Sequence, residues 1–370
     1  MISAARTSRL TAVFVLAALA LVCGCAGHPQ PGTATPATHD KAKPATHDTA
    51  KPATRDTAKP ATRDTAKPAR QAPPTQAPAR TSAAGTAGSY PVGERTVTFL
   101  EPAHTGPTGQ YLDQRALLTA IWYPLAPAWA GSQPAIGPFP LVMFAPGFMQ
   151  CGATYTDLLR AWASAGYVVV AVNFPRTDCR VGSAAYEPDL VNQPGDMSYV
   201  LSTLLALSAQ PDDFFSGLLN RSQIAAAGQS DGGDTVAALA ANACCADRRL
   251  AAVAVLSGAE WPPMPGEYFP HAAPPMLFVQ GSADTINPPW TSLQLYRADA
   301  DSARYYLDLF GADHMVPYTG TNPTEQLVVR VTLAFFDRYV LGRSGALAAM
   351  TRYGNVPGTA ALVSGDQLPP

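Results

Sequence analysis

A serine between two glycines, directly after a short apolar run, constrains this chain more than any other feature. The segment Gly-Gln-Ser-Asp-Gly at residues 228–232 follows the apolar residues 224–227 and precedes an alanine-rich stretch without proline. Small flanking residues let neighbouring backbone pass close to a side chain held on a sharp, strained strand-to-helix turn. The pentapeptide alone also fits a glycine-rich turn. With a strand before it and a helix after it, the pattern predicts an exposed nucleophile at Ser230.

A serine nucleophile requires a histidine base and a carboxylate that orients the ring, in the chain order Ser, Asp, His. The chain has six histidines, and only His271 and His314 come after the serine. His314 lies in a loop that follows a strand-like run, so it is the predicted base. His271 lies among prolines in a connection, which favours an ordinary solvated loop histidine.

The predicted acid is Asp284, because it follows the apolar run at residues 276–280. An aspartate at such a place could also form a turn or cap a helix. Asp313 is a rival because it adjoins His314, but adjacent side chains on an extended loop point apart. Ser230, Asp284 and His314 therefore form the predicted triad, and each lies just after a predicted strand.

An oxyanion hole needs the backbone N–H of the residue after the nucleophile and a second N–H from the loop after an earlier strand. Asp231 supplies the first donor. The second is predicted at Phe148, because the buried-strand run 141–145 leads into Pro146 and Gly147. A simple Pro-Gly turn is the alternative for this loop.

Strand-like and helical patterns alternate along residues 90–342. The predicted strands lie near residues 95–100, 117–123, 141–145, 167–173, 224–227, 250–256, 276–279 and 304–309. The predicted helices lie at residues 154–165, 195–209, 231–243, 289–298 and 323–341. This alternation predicts an α/β fold with a mostly parallel, eight-stranded sheet flanked by helices, and an antiparallel start where no helix joins the first two strands.

The predicted elbow, acid, base and strand order resemble the α/β-hydrolase fold. Within it, residues 143–148 and 162–170 resemble the bacterial polyester hydrolases and cutinase-like lipases, and their relatives the platelet-activating-factor acetylhydrolase and dienelactone hydrolase families. The resemblance implies a serine ester hydrolase that acts through an acyl-serine intermediate without a cofactor. By this resemblance the triad and the oxyanion donors are Ser230, Asp284, His314, Phe148 and Asp231.

Three further expectations come from the resemblance. Trp261 resembles the aromatic wall of the substrate cleft, although it could instead pack on the prolines that follow it. The polyester-cleaving enzymes usually have methionine after the serine, and the carboxylate of Asp231 at that place argues against polymer cleavage. Cys151 and Cys179 follow strands that are neighbours in the family's sheet order, which implies a disulfide between them. The adjacent Cys244 and Cys245 could be core residues at the end of the elbow helix.

The N-terminus predicts export. Arg6 and Arg9 precede an apolar run at residues 10–22, which is too short for a comfortable membrane span and is typical of a secretory signal. The sequence Val-Cys-Gly-Cys at residues 22–25 resembles a bacterial lipobox, and Cys25 follows a small glycine. We therefore expect a signal peptide at 1–24 and a lipid anchor at Cys25, on the outer face of the bacterial cytoplasmic membrane, with simple secretion as the alternative.

Residues 25–89 are predicted to be a disordered, semi-extended linker. They contain an octapeptide repeat, Lys-Pro-Ala-Thr-(His/Arg)-Asp-Thr-Ala, at residues 43–50, 51–58 and 59–66. The apolar content is mostly alanine, which is too little to build a core. The predicted organisation is completed by a catalytic domain at 90–345 and a loose C-terminal tail at 346–370.

Composition excludes several classes of function. A net charge of −2 provides no basic surface for nucleic acid, and no phosphate-binding loop is present. The cysteine spacing lacks a Cys-x-x-Cys pattern, which argues against zinc. We expect a monomer whose partners are a small or lipidic ester and the membrane. Two other functions stay open, a non-catalytic envelope protein that uses the hydrolase scaffold for binding, and an amidase or peptidase with the same triad.

Overall fold

A nine-stranded sheet is the centre of the computed structural model, which describes residues 90–126, 133–300 and 303–370. The predicted signal peptide, the lipidation site at Cys25 and the repeat linker lie outside the described residues. The strands are β1 (Val92–Glu101), β2 (His104–Thr105), β3 (Tyr111–Leu112), β4 (Arg115–Pro124), β5 (Phe139–Ala145), β6 (Val168–Asn173), β7 (Leu219–Gln229), β8 (Ala252–Leu256), β9 (Met276–Gly281), β10 (Arg304–Leu309) and β11 (Ala360–Ser364).

Along the sheet the strands follow the order β1-β4-β6-β5-β7-β8-β9-β10-β11, while β2 and β3 form a separate small hairpin. Strand β4 runs antiparallel to both β1 and β6, and β11 runs antiparallel to β10. Within the run β6-β5-β7-β8-β9-β10, each strand is parallel to the next. The mostly parallel architecture with an antiparallel start is therefore confirmed.

In the part of the chain that the structure describes, six α-helices cover the two faces of the sheet. They are α1 (Thr156–Ser164), α2 (Gln193–Ser208), α3 (Asp231–Ala241), α4 (Pro289–Ala298), α5 (Pro323–Tyr339) and α6 (Ala346–Gly354). Buried residues of α2, α3 and α4 share one core with the sheet, and those of α1, α5 and α6 share the other. On β5, Met143 belongs to the first core and Phe144 to the second. Because both faces are covered, this strand is apolar throughout rather than alternating.

The parallel strands bring distant parts of the chain to one edge of the sheet. Strand β5 ends at Ala145, β7 at Gln229, β9 at Gly281 and β10 at Leu309. All four strands run in the same direction, so the loops that follow them emerge at the same edge. The oxyanion-hole candidate and the three triad candidates lie in these loops.

The C-terminal residues 346–370 are not a loose tail, because they form a helix and a strand of the main sheet. With this strand the sheet has nine strands rather than the eight that the sequence predicts. Helix α6 packs on α5, and β11 pairs with β10 with Leu362 opposite Leu307. The physical reason is that β10 would otherwise present an unpaired edge. The strand was missed because it is short and lies between Gly358 and Gly365, where turns were the expected structure.

Among residues 90–126, 133–300 and 303–370, no helix combines the length and the apolar character needed to cross a bilayer.

Substitution of Met350 tests whether the C-terminal helix is docked. Met350 is fully buried, so Met350→Ala should lower the free energy of unfolding by about 2–5 kcal/mol through lost burial and a cavity. Leu347 lies on the same helix with 37% of its surface exposed, so Leu347→Ala should cost about 0.5 kcal/mol or less. Urea unfolding of the two variants measures the difference. Equal costs would show that α6 is not part of the core.

Candidate active site

Ser230 lies on a sharp turn between β7, which ends at Gln229, and α3, which begins at Asp231. Its backbone has φ 57° and ψ −127°, a conformation that a residue with a side chain rarely adopts. The flanking glycines make the turn possible. A Cβ atom at Gly228 would collide with the carbonyl of Gly232, and one at Gly232 would collide with the carbonyl of Ala145. The sequence therefore forces Ser230 onto an elbow at the edge of the sheet.

His314 and Asp284 are hydrogen-bonded to each other. Nδ1 of His314 lies 2.7 Å from Oδ2 of Asp284, and both residues are buried. The other carboxylate oxygen, Oδ1, accepts the backbone N–H groups of Ile286 and Asn287, each at 2.9 Å. The aspartate is therefore held rigidly, and it orients the ring.

The electrostatics of Asp284 suit an ionised partner. Burial by itself raises the pKa of its carboxyl. The hydrogen bond and charge of His314, together with the N–H groups of Asn287 and Ile286, outweigh the burial, and the net pKa lies below its ordinary value. Asp284 is thus a carboxylate at neutral pH. Because a carboxylate only accepts hydrogen bonds, Nδ1 of His314 carries the hydrogen and Nε2 has the lone pair of a base.

The structure brings Ser230 and His314 to the same edge but shows no hydrogen bond between them within the described residues. Nε2 of His314 instead lies 3.2 Å from Nε2 of Gln229, the residue that directly precedes the nucleophile. In enzymes without substrate, catalytic hydrogen bonds are often long or poorly aligned and tighten on binding. Asp313, the rival acid, is exposed, and its Oδ1 accepts the N–H groups of Met315 and Val316.

The second oxyanion candidate lies in the oxyanion loop, residues 146–151, which follows β5. A Cβ built on Gly147 would lie 3.1 Å from Cβ of Ser230, so the loop passes directly beside the nucleophile. The N–H of Gly147 donates to the hydroxyl of Tyr155 at 3.2 Å, and the N–H of Met149 donates to the carbonyl of Thr177 at 2.7 Å. Within the described chain the N–H of Phe148, between them, has no hydrogen-bond partner. A role for this N–H in an oxyanion hole stays a prediction.

The disulfide between Cys151 and Cys179 joins the oxyanion loop to the loop after β6. Their Cα atoms are 5.3 Å apart, a normal separation for such a bridge. Cys244 and Cys245 pair with each other beyond the end of α3. They are not core residues, because Cys244 is exposed and Cys245 is only half-buried.

Asp231 combines a backbone oxyanion candidate with an unusual carboxyl group. The side chain is buried, and within the described residues its Oδ2 has no hydrogen-bond partner. Burial raises the pKa of Asp231 to about 7, the negative charge of Glu187 adds to the rise, and His314 and the residue's own N–H oppose it. Near pH 7 this carboxyl is therefore partly neutral, which lessens its repulsion of a developing oxyanion.

A buried ion-pair cluster holds the segment that carries Glu187. The 3-10 turn Glu187–Asn192 and the start of α2 are both bound by Arg115, which donates to Asp189 at 2.8 Å and to Asp196 at 2.6 Å. Because all three side chains are buried, this pairing fixes where the turn lies. The cluster thereby determines how close the charge of Glu187 comes to Asp231.

Trp261 lies in the loop after β8 and is half-buried. It packs with Met264 and Tyr268 against a small apolar cluster and lines a cleft of about 400 Å³ with them. None of Ser230, Asp284 and His314 lines this cleft. A role for Trp261 as a wall of the substrate cleft stays a prediction.

Two buried glutamines at the site were missed by the sequence analysis. Gln229 contacts His314, and Gln280 donates to Oδ2 of Asp284 at 3.1 Å. Both stand near the carboxyl end of a strand and follow a buried apolar run, residues 224–228 in β7 and 276–279 in β9, where a polar side chain needs a specific partner. That contrast was the signal by which they could have been found.

Comparison with known proteins agrees with this architecture. A family model described as chlorophyllase matches residues 126–260, a little over a third of the chain. The matched segment contains Phe148, the elbow and Ser230, and it ends before Asp284 and His314. No curated protein matches the chain. Together with the large, mostly parallel sheet and its flanking helices, the match shows that the chain has the α/β-hydrolase fold.

Substitution of Asp231 should make stability less dependent on pH. The folded-state pKa of about 7 exceeds the ordinary value of 3.8, so between these pH values the folded chain keeps a proton that the unfolded chain loses. Stability from this group is full below about pH 4 and is lost as pH rises through 7. The free energy of unfolding of Asp231→Asn should therefore be about 2–4 kcal/mol higher than that of the parent at pH 8. At pH 4 the two should differ little.

Thermal or urea unfolding at both pH values measures this effect. Asp212 is exposed, so Asp212→Asn serves as the control and should leave the pH dependence unchanged. A gain from Asp231→Asn that is equal at pH 4 and pH 8 would show that the Asp231 carboxyl is not held neutral by the fold.

Proposed function

We propose that this protein is a serine hydrolase that cleaves carboxylic esters through an acyl-serine intermediate. The observation that carries the proposal is the strained Ser230 elbow at the same sheet edge as the His314–Asp284 hydrogen bond. The chlorophyllase match supports it, because that family consists of hydrolases that act on esters. No cofactor is needed for this chemistry.

In the proposed first step, Oγ of Ser230 attacks the ester carbonyl carbon while its proton passes to Nε2 of His314. The π electrons of the carbonyl group move onto its oxygen. The resulting oxyanion accepts hydrogen bonds from the N–H groups of Phe148 and Asp231. When the oxyanion collapses, the bond to the alcohol oxygen breaks, and the alcohol takes the proton from His314. Asp284 stays ionised throughout and stabilises the imidazolium.

The second step releases the acid. His314 takes a proton from water as the water oxygen attacks the acyl carbon, and the same two N–H groups hold the second oxyanion. Collapse breaks the bond to Oγ of Ser230, which recovers its proton from His314. The carboxylic acid leaves, and the resting enzyme is restored.

We further propose that the acyl or alcohol group is apolar. Large apolar side chains are exposed close in sequence to Phe148, Asp284 and His314, and at the start of α4, with 42% of Met149, 67% of Ile286, 65% of Trp290 and 47% of Val316 accessible. Met149 adjoins Phe148, Ile286 follows Asp284 by two positions, and Val316 follows His314 by two. We call these four side chains the apolar rim. The segments that carry them follow strands ending at the same edge of the sheet, and an exposed apolar surface there is typical of a binding site.

The proposed place of action is the outer face of a bacterial membrane, with the mature chain tethered through a lipid at Cys25. This proposal rests on the signal-like N-terminus and the lipobox resemblance alone. The repeat linker at residues 25–89 would then act as a spacer between the anchor and the enzyme. A lipidic ester is a suitable substrate for an enzyme kept at a membrane.

Removal of the nucleophile should abolish turnover. Ser230→Ala should lower kcat/KM for short p-nitrophenyl esters by about 10⁴-fold or more, because only the oxyanion donors remain. Alanine has the same Cβ as serine, so the thermal unfolding of the variant should match that of the parent. Ser216 is exposed and outside the site, and Ser216→Ala should keep full activity.

A fluorophosphonate probe should label the parent and not the Ser230→Ala variant. A parent that neither reacts with the probe nor cleaves esters would show a non-catalytic scaffold. Full activity in Ser230→Ala would show that the nucleophile is elsewhere. Faster cleavage of a matched p-nitroanilide than of the ester would indicate an amidase.

The apolar rim should determine the preference for long acyl chains. Trp290→Ser should lower the ratio of kcat/KM for a long-chain ester to that for the acetate by about 10-fold, through lost apolar contact. Ile136 is 98% exposed and precedes β5, at the opposite edge of the sheet, so Ile136→Ser is the matched control and should leave the ratio unchanged. An unchanged ratio in Trp290→Ser would show that the apolar rim does not contribute to substrate binding.

A further inference from the structure

Gln229 connects three parts of the candidate site through its side-chain amide. It is the last residue of β7, directly before Ser230, and it is fully buried. Its Oε1 accepts the hydroxyl of Tyr155 at 2.7 Å, and that hydroxyl accepts the N–H of Gly147 in the oxyanion loop at 3.2 Å. Its Nε2 donates to the backbone carbonyl of His314 at 3.0 Å and lies 3.2 Å from Nε2 of the ring.

The chemistry of the neighbours fixes which way the amide points. The backbone carbonyl of His314 can only accept a hydrogen bond, so the amide nitrogen must face it. The oxygen of Tyr155 already accepts the N–H of Gly147, so its own hydrogen is free to donate to Oε1 of Gln229. Each polar atom of the amide thus has a partner of the required kind, as a buried amide needs.

The amide also fixes the state of the imidazole. One hydrogen of Nε2 of Gln229 is used by the carbonyl of His314, and the other faces Nε2 of the ring. Two N–H groups cannot face each other favourably, so the ring nitrogen must present its lone pair. This is the same tautomer that the bond from Nδ1 to Asp284 requires. Both contacts therefore favour the tautomer of His314 with the hydrogen on Nδ1.

We propose that Gln229 is a positioning residue that holds the imidazole of His314 and the oxyanion loop in register around Ser230. The inference rests on the proposed function. Because the Nε2 lone pair faces Gln229 in the resting site, the ring must transfer that contact to the hydroxyl of Ser230 when a substrate binds. Once Nε2 gains the serine proton it can no longer accept from the amide, so its N–H is directed to the leaving alcohol.

The charged and titratable groups around the ring come from each element that packs against it. Asp284 contributes its carboxylate from the loop after β9, and Asp231 faces the ring from α3, with Glu187 beyond it. Tyr155 contacts Gln229 from the segment before α1. Burial raises the pKa of Tyr155 far above its ordinary value, so its hydroxyl stays neutral. Gln229 is the uncharged amide among these groups. Glutamate has nearly the same shape as glutamine, so Gln229→Glu changes mainly the charge at this position.

Gln229→Glu places an acceptor where the ring requires a donor. A carboxylate there favours a protonated Nε2, so the acid limb of the pH profile of kcat/KM should move to higher pH by about one unit. The backbone carbonyl of His314 loses its donor at the same time, so the plateau should fall by about 10-fold or more with KM little changed. A merely structural role would lower stability without moving the acid limb.

Tyr155→Phe separates the two branches of the network. It removes the contacts to Gly147 and to Oε1 of Gln229 but leaves those between Gln229 and His314. The plateau of kcat/KM should fall, because the oxyanion loop is held less firmly, and the acid limb should stay in place. Gln210 is exposed and lies between the end of α2 and the start of β7, at the opposite edge of the sheet, and Gln210→Glu is the matched control, with no change expected in either quantity.

The rate of labelling by a fluorophosphonate distinguishes failure of this inference from failure of the proposed function. If the parent is labelled and Gln229→Glu is labelled at the same rate with the same acid limb, the positioning role is overturned. If the parent is not labelled at all, the proposed function fails instead. Should Gln229→Glu fail to fold, Gln229→Met takes its place, since loss of both contacts should slow labelling by about 10-fold or more, and an unchanged labelling rate would overturn the positioning role.

Discussion

The close approach of backbone around Ser230 is the constraint on which the rest of the structure depends. Residues 228 and 232 must be glycines, because a Cβ at either place would collide with a backbone carbonyl group packed against it. This approach holds Ser230 at a positive φ and turns its side chain out of the core. The cost of the strained residue is offset by the buried β7 and α3 on either side, which leave the turn no alternative.

Around this turn the sheet collects polar groups that an apolar core would not tolerate singly. Asp284 and His314 bind each other, and the buried amides of Gln229 and Gln280 and the backbone N–H groups after Asp284 supply further hydrogen bonds. In surroundings of low polarity such a network is stable only when each member is paired. The network therefore gives the site its rigidity, and it couples the orientation of the base to the position of the oxyanion loop.

The carboxyl of Asp231 is the exception within this network, because its Oδ2 is buried without a partner among the described residues. Burial and the nearby Glu187 both favour its neutral form. The fold thus tolerates an acid beside the proposed oxyanion hole by weakening its ionisation.

By itself the sequence determined the features that depend on neighbours along the chain: the elbow, the alternation of strands and helices, and the loops that carry Asp284 and His314. These follow from local propensity and from the rule that parallel strands end at one edge. Only the tertiary structure decided the partners of Gln229, the raised pKa of Asp231 and the docking of α6 and β11. Each of these depends on contacts between residues far apart in the chain, or on burial, and a one-dimensional pattern carries neither.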